Sequence, residues 1–318
     1  MAYTGTGDVS SDTAAFQQLA YFAFRSQPMY EMVADVRSTA QTHNGASVQF
    51  NIYDNMAQAT SALTEASDVT AVALGDSTVT VTLAEYGNAV ITTAKLRGTS
   101  FLNVDADAAN IIGYNMVDSV DKLVSDVANA GTNVIYSTGS GALPTSRVTI
   151  ADANTIDTAT ARQAVAELRG ASAPGFENGN YIGLIHPDVS YDLRALTAVT
   201  DVIQFQIRQE GAAVRNGSIG VFGGIEWIEN PRAPILDDAG ATSTTNVYQT
   251  LVAGRQALAK AFSRAPGFGE DPSVVFGPVT DTLRRFHPVG WYHLVGHGIF
   301  RQAALRRIES SSSIGDNT

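Results

Sequence analysis

Apolar residues recur at steps of three and four between Val104 and Val127. Val104, Ala108, Ile111, Ile112, Met116, Val120, Leu123, Val124 and Val127 fall on one stripe of a helix, while Asp107, Asn110, Asp118, Lys122, Ser125 and Asn129 take the opposite face. Asn103 stands where a side chain can cap the first turn, Asp105 and Asp107 complement the positive end of the helix dipole, and Gly131 can supply a left-handed stop. The spacing predicts one helix from Asn103 to Gly131, roughly 40 Å long at 1.5 Å per residue. At that length it is either a brace or an ordinary long helix across a large α+β domain, and periodicity allows both.

Alternation marks the strands. Val48, Phe50 and Ile52 alternate with Ser47, Gln49 and Asn51, and Val79, Val81 and Leu83 alternate with Thr78, Thr80 and Thr82. Between them, Asp54 to Ser77 is rich in Ala, Ser, Thr and Asp, too long for a tight turn and too polar for a core. A long projecting two-stranded loop is expected, resting on its own domain or on a neighbour, because an isolated hairpin is marginal in water. Gly87-Asn88 is expected to break the second strand before Val90 to Leu96 leads back to the long helix.

Later segments alternate between the two periods. A short helix runs through Ala161, Ala164, Val165 and Leu168 to a stop at Gly170, and a strand follows at Tyr181 to Ile185. His186-Pro187-Asp188 turns into a helix carrying Val189, Leu193 and Leu196, and Ile219 to Phe222 pairs with Ile225 to Ile228 across Gly223-Gly224. Asn246 to Ala253 is a further strand, and the aromatic-rich Val289 to Arg301 is another, continuing into Ala303 to Ile308. Ser310 to Thr318 reads as a frayed polar tail. At the other end, Met1 to Gly45 reads as an arm. Its first helix passes through Phe16, Leu19, Ala20 and Ala23, and Tyr21, Phe22 and Phe24 make it apolar on nearly every side, so it needs cover from elsewhere. A helix docked on its own domain is the alternative. Pro28 ends it, and Met29, Tyr30, Met32, Val33 and Val36 form a second apolar stretch.

Composition narrows the chemistry. The 318 residues contain no cysteine, which removes disulfides, thiolate metal sites and cysteine nucleophiles together. A net charge of −11 with no cluster of Lys and Arg argues against gripping nucleic acid through phosphate contacts. The cations are lopsided, with only Lys95, Lys122 and Lys260 against many arginines, and arginine suits planar, bidentate pairs at contacts between subunits. No run reaches the apolar length needed to cross a bilayer, and the first residues carry neither a basic start nor an apolar h-region, so no membrane partner and synthesis in a cytoplasm are expected.

No motif carries catalysis. His293 and His297 have the spacing of a zinc-protease pair, but Leu294 stands where that chemistry needs a glutamate to act on the metal-bound water. On a strand the two histidines would share a face about 13 Å apart, too far for one ion. His186 and His287 precede prolines in turns, with no carboxylate or nucleophile obviously beside them. Gly139-Ser140-Gly141 and Gly5-Thr6-Gly7 lack the lysine and helix of a phosphate loop. No catalytic, cofactor-binding or metal-ligating residue is assigned.

Three stretches carry a resemblance. Val289-Gly290-Trp291-Tyr292-His293-Leu294-Val295-Gly296-His297-Gly298-Ile299-Phe300, ending in Arg306-Arg307-Ile308-Glu309, resembles the closing strand of tailed-phage major capsid proteins of the N-four type. Ile185-His186-Pro187-Asp188 with Tyr191-Asp192-Leu193, and Gly217 through Asn230, point the same way, while the first half matches in the order of its parts. The resemblance implies an α+β Hong Kong-97-type capsid fold. It divides the chain into an N-terminal arm (1–46), an extended loop (47–98), a peripheral domain with the spine helix (99–180), an axial domain (181–264), return strands (265–309) and a tail (310–318). Ile111, Ile112, Met116, Val120, Leu123, Val124 and Val127 would line the spine, and Phe16, Phe22, Phe24, Trp291 and Arg97 are candidate subunit contacts.

It also implies a major capsid protein that self-assembles as hexamers and pentamers into an icosahedral shell around double-stranded DNA, held without sequence-specific contact. Such a protein has a virion location and portal, scaffolding or decoration partners. The arm is short for one carrying its own scaffolding segment, which suggests a separate scaffold or a trimmed chain. Lys95 lies at the base of the loop, so the lysine–asparagine crosslinking of some relatives is not carried over. Two competing readings stand beside this one: a cysteine-free α/β enzyme with a histidine-containing pocket, and a secreted surface-layer subunit, which the absent signal disfavours.

Overall fold

A computed structural model describes residues 28–36, 45–63, 65, 68–100, 104–176, 179–195, 220–263, 269–279 and 281–315. The chain divides into two units. The smaller contains residues 87–116 and 274–292, and the larger contains 26–86, 117–273 and 293–318.

A mixed sheet organises the larger unit. Its strands are β5 (Val134–Tyr136), β6 (Tyr181–Ile185), β7 (Gly220–Phe222), β8 (Ile225–Glu229), β9 (Ile235–Leu236), β10 (Val247–Ala253) and β14 (Leu305–Ser310), in the order β5-β14-β10-β6-β8-β7, with β9 also on β10. Both faces are covered. Consequently the central strands β6 and β10 are buried at every position and read as runs without alternation. On one face helices α3 (Thr158–Gly170) and α4 (Pro187–Ala195) bring Leu168, Val165, Val189 and Leu193 onto Ile185, Trp227, Val252 and Ile308. Asp157 starts α3 by accepting the Thr160 backbone N–H at 2.7 Å. The β7–β8 hairpin closes through Gly223 and Gly224 at φ +62° and +88°, a pair of left-handed residues that L side chains rarely adopt. On the other face Tyr30, Val33, Val124 and Ala128 pack against Leu184, Leu251 and Leu305.

A second ribbon in the same unit carries the hairpin. Strand β11 (Leu258–Phe262) pairs in parallel with β1 (Ala34–Val36) and antiparallel with the end of β13 (Phe286–Ile299), so that Lys260 stands opposite His297. Strands β2 (Ser47–Tyr53) and β3 (Asp76–Thr82) pair from Ser47↔Thr82 to Tyr53↔Asp76, and Val48, Val81 and Leu83 pack on Ala259, Ala261 and Phe300. Glycine permits that approach: a Cβ on Gly296 would collide with the Thr82 carbonyl oxygen, and one on Gly298 would sit 2.8 Å from the Val81 side chain.

In the smaller unit β4 (Ala84–Thr93) and β12 (Ser273–Phe276) pair with the first part of β13, and α1 (Ala94–Thr99) follows β4, capped by the Thr93 hydroxyl accepting from Leu96. Helix α2 spans Val104–Asn129 and supplies residues to both units.

Several expectations need correction. The buried stripe of α2 is Ala108, Ile112, Val120, Val124 and Ala128, a step-of-four row, which leaves Ile111 49% exposed and Met116, Leu123 and Val127 half-buried. On the polar face Ser125 is buried, as is Asp121 beside it. Gly131 does not adopt positive φ. It is glycine because a Cβ there would meet the Leu305 side chain at 2.9 Å. Gly87-Asn88 does not break β4, since the strand continues through both, with Gly87 pressed against the Trp291 carbonyl oxygen. The C-terminal tail is anchored as far as it is described: Ser310 and Ser311 are buried, and the Ser313 backbone N–H donates to Asp192 at 2.9 Å. The divisions at 180/181 and 264/265 do not follow the sheets. Strands β5 and β14 lie with β6 and β10 in one sheet, because the closing segment turns at Gln302–Ala304 and leaves the β11–β13 ribbon. Phe16, Phe22 and Phe24 of the arm, and Asn103 of the cap, lie outside the described residues.

Candidate assembly surface

The projection at the end of β2 and β3 leaves its described residues exposed. Described residues between Asp54 and Gly75 are exposed throughout, including Met56, Leu63, Val69, Val72 and Leu74. Its base is anchored, because alternate residues of β2 and β3 enter the apolar cluster with Phe300. Beyond Asp54, whose backbone N–H donates to the Gly75 carbonyl at 3.0 Å, neither regular pairing nor packing continues. Isolated apolar side chains on a surface are ordinary, but a series of them on one unpaired segment leaves transfer free energy ungained.

The smaller unit has complementary features of its own. Val90, Ile91, Leu96 and Ile111 are exposed around a groove floored by Val104 and Ala108, and Val275, Phe276 and Phe286 are exposed along β12 and β13. Trp291 sits beneath a second groove with Asn88, Ala89, Val275 and Pro288. Expected as a subunit contact, it is instead 4% exposed within its own chain, with its indole N–H donating to Asn115 at 2.9 Å. Arg97, the other candidate here, makes a two-pronged pair with Asp105, Nε–Oδ1 2.8 Å and a terminal N–Oδ2 2.8 Å, and Thr92 donates to the same carboxylate at 3.1 Å. The guanidinium remains about one-third exposed.

The histidines do not converge. His293 and His297 share a face of β13 on either side of Val295, their Nε2 atoms are buried without a hydrogen-bond partner, and among the described residues no cluster of three ligating side chains occurs. Burial lowers both pKa values, with Lys260 adding to the effect, and His297 is brought to about 4. His186 lies apart from them, its Nδ1 3.3 Å from the Asp188 carboxylate. Burial lowers its pKa against the opposing pull of Asp188, and Tyr248 donates to that carboxylate at 3.0 Å.

One buried ionic site was not read from the sequence. Glu309 on β14 is fully buried, accepts from Arg147 through two bonds of 3.0 and 2.6 Å, and lies 2.9 Å from Arg307 and 3.2 Å from Gln249. Burial raises its pKa, but the bonds and charges of Arg147 and the charge of Arg307 outweigh burial and hold it below the ordinary value. Arg307 and Glu309 were visible as part of a motif, but nothing local in sequence names Arg147 as the partner. The site fastens a loop to the central sheet and presents no reactive group.

Exposed apolar surface, a projecting hairpin and a buried carboxylate held by arginines are what a building block has. Over residues 6–310 the sequence matches the family model described as phage capsid protein. The chain belongs to that family. It is a major capsid protein, the subunit of an icosahedral phage shell. Its fold is that of solved capsids of Hong Kong-97 type. The capsid protein of Ralstonia phage GP4 is similar with a TM-score of 0.74 at 14% identity, covering 100% of this chain and 99% of that one. The capsid of cyanophage P-SCSP1u gives 0.72 at 16% identity, with 98% and 96% covered. The head protein of Helicobacter pylori bacteriophage KHP40 gives 0.72 at 13% identity, with 98% and 99% covered. Curated proteins offer no match. The capsid protein has no helix, among its described residues, long and apolar enough to cross a membrane.

Proposed function

We propose that this capsid protein assembles as hexamers and pentamers and that its Asp54–Gly75 projection lies on the adjacent subunit of the shell. The observation that carries this reading is the exposure of the projection's described residues, apolar side chains included, above a base that is firmly packed on its own ribbon. Apolar surface left in water by one chain is surface that a neighbour can cover, and small contacts repeated around every capsomer add up to a stable shell. Arg97, part-exposed and already oriented by Asp105, is a second candidate contact, since a preordered guanidinium loses little entropy when it pairs again. Packaged double-stranded DNA is enclosed without sequence-specific contact, in keeping with the net charge of −11. The shell's special vertex would receive a portal.

The experiment replaces residues 54–75 with an Asn-Gly turn. The hairpin register from Ser47↔Thr82 to Tyr53↔Asp76 is long enough to survive, so circular dichroism and melting temperature should stay near wild type while light scattering and negative-stain microscopy show no closed shells. A co-expressed scaffold is included if the wild type does not assemble alone. Shells of normal size from the shortened chain would remove the projection from the assembly mechanism.

A further inference from the structure

Two imidazoles on the closing strand, His293 buried and His297 half-buried, each carry a buried Nε2 atom without a hydrogen-bond partner. His293, 3% exposed, and His297 point from β13 toward the side of the ribbon that bears Lys260, whereas Gly296 and Gly298 face the hairpin. Lys260, itself buried, reaches an ion pair with Glu31 in the turn Tyr30–Val33, and β1, which follows that turn, is hydrogen-bonded to β11 beside Lys260. The turn is held by the ion pair to Lys260, by the Tyr30 backbone N–H donating to Asp121 at 2.6 Å, by a three-residue parallel pairing, and by Tyr30 and Val33, both buried in the apolar cluster with Leu251 and Leu305. Neither imidazole Nε2 has a hydrogen-bond partner, and Lys260, opposite His297 in the strand register, is already paired with Glu31.

We propose that Tyr30–Val36 is an acid-released clasp, detached from β11 when His293 and His297 take up protons. Placing one or two further positive charges next to Lys260 in an apolar site is unfavourable, so protonation is favoured in the arrangement where the turn has lifted and water reaches the ring nitrogens.

The surrounding groups set the sign. Burial, then Lys260, lowers both histidines, while Glu31 favours the charged ring in each case and Asp271 does so for His293. Their folded pKa values lie below the free value of 6.5, so the clasp is fully closed above about 6.5 and loses stability as pH falls toward 4. Asp121, on α2, is raised by burial despite the bonds from Tyr30 and Met29 and the nearby Arg232, so its protonation opposes opening. The Tyr30 phenol, pushed up to about 12 by burial, stays neutral throughout. With His297 at 6.5 when open and about 4 when closed, that residue alone shifts the opening equilibrium about 30-fold at pH 5.

The test is hydrogen exchange by mass spectrometry on the full chain from pH 7.5 to 5, with protection factors corrected for intrinsic exchange. Peptides covering 30–36 and 258–262 should lose protection by 30-fold or more, while those covering β6 and β10 keep theirs. In His297→Gln, and separately in His293→Gln, the pH dependence at 30–36 should shrink, because a neutral amide cannot be charged. Constant protection in the wild type overturns the proposal, and so does a wild-type pH profile in both variants, which would assign the effect to the carboxylates. If one variant does not fold, the other and the wild-type profile still decide.

Discussion

At the scale of single residues, the same chemical change should have different outcomes at two positions of α2. Val124 is 1% exposed against Tyr30, Leu251 and Leu305, so Val124→Asp buries an unpaired carboxylate at a cost of about 3–5 kcal/mol, a large share of a domain's stability. Insoluble expression or loss of the cooperative melt is expected. Ile111→Asp, at a half-exposed position of the smaller unit, should stay within about 0.5 kcal/mol of wild type in a denaturant titration, although the spacing of apolar residues places both in one stripe. A comparable loss in both variants would mean that Ile111 is covered. Gly296 is a different case, since its requirement is proximity rather than conformation. Gly296→Val drives a side chain into the Thr82 carbonyl and should cost about 1–3 kcal/mol, read from the urea midpoint, by lifting the hairpin base from β13.

At the scale of elements, β14 deserves comparison with β13, since the two are nearly continuous in sequence yet belong to different sheets. Three residues, Gln302–Ala304, make the switch, and the far end of β14 is fixed by Glu309 between Arg147 and Arg307. Glu309→Gln leaves two guanidinium groups facing a neutral amide and is expected to destabilise by about 3 kcal/mol, measured by chemical denaturation at pH 7. Because the Glu309 pKa is depressed, its contribution is present above the unfolded value of 4.5 and lost as pH falls below it. That window lies under the one in which the histidines lose theirs, so global melting followed against pH should separate an early local change near β1 from a later cooperative loss. Melting of Glu309→Gln with the same acid limb as wild type would remove Glu309 from that later step.

At the scale of the whole molecule, each unit leaves apolar area outside. Grooves beside Ile91 and Leu96 in the smaller unit, and the Asp54–Gly75 projection in the larger, are surfaces that a single chain does not need. For a shell protein they are useful, because assembly draws on burial between chains rather than within one. The purified chain is accordingly expected to show concentration-dependent association at neutral pH, weakened in the variant lacking 54–75, as measured by sedimentation velocity. Association of equal strength in the two would place the contact elsewhere.

Local order was legible in the sequence where one face of an element is buried and the other wet, or where turn residues bound a short apolar run. Strand β2 over Ser47–Tyr53, strand β6, the hairpin across Gly223-Gly224 and helix α2 all follow from periodicity and turn residues, which short-range physics alone dictates. The class α+β and membership among phage capsid proteins were likewise readable, through motifs spread over the second half of the chain. Tertiary structure alone decided which sheet each strand joins, why Gly87, Gly131 and Gly296 are glycine, which of Ile111 and Ile112 is buried, and that Trp291 spends its indole on Asn115. Strands β5, β11 and β12 were not read from the sequence. The partners Arg147 and Glu309, like Lys260 and Glu31, are more than 150 residues apart, and no local pattern encodes a contact whose two halves meet only when the sheets have formed.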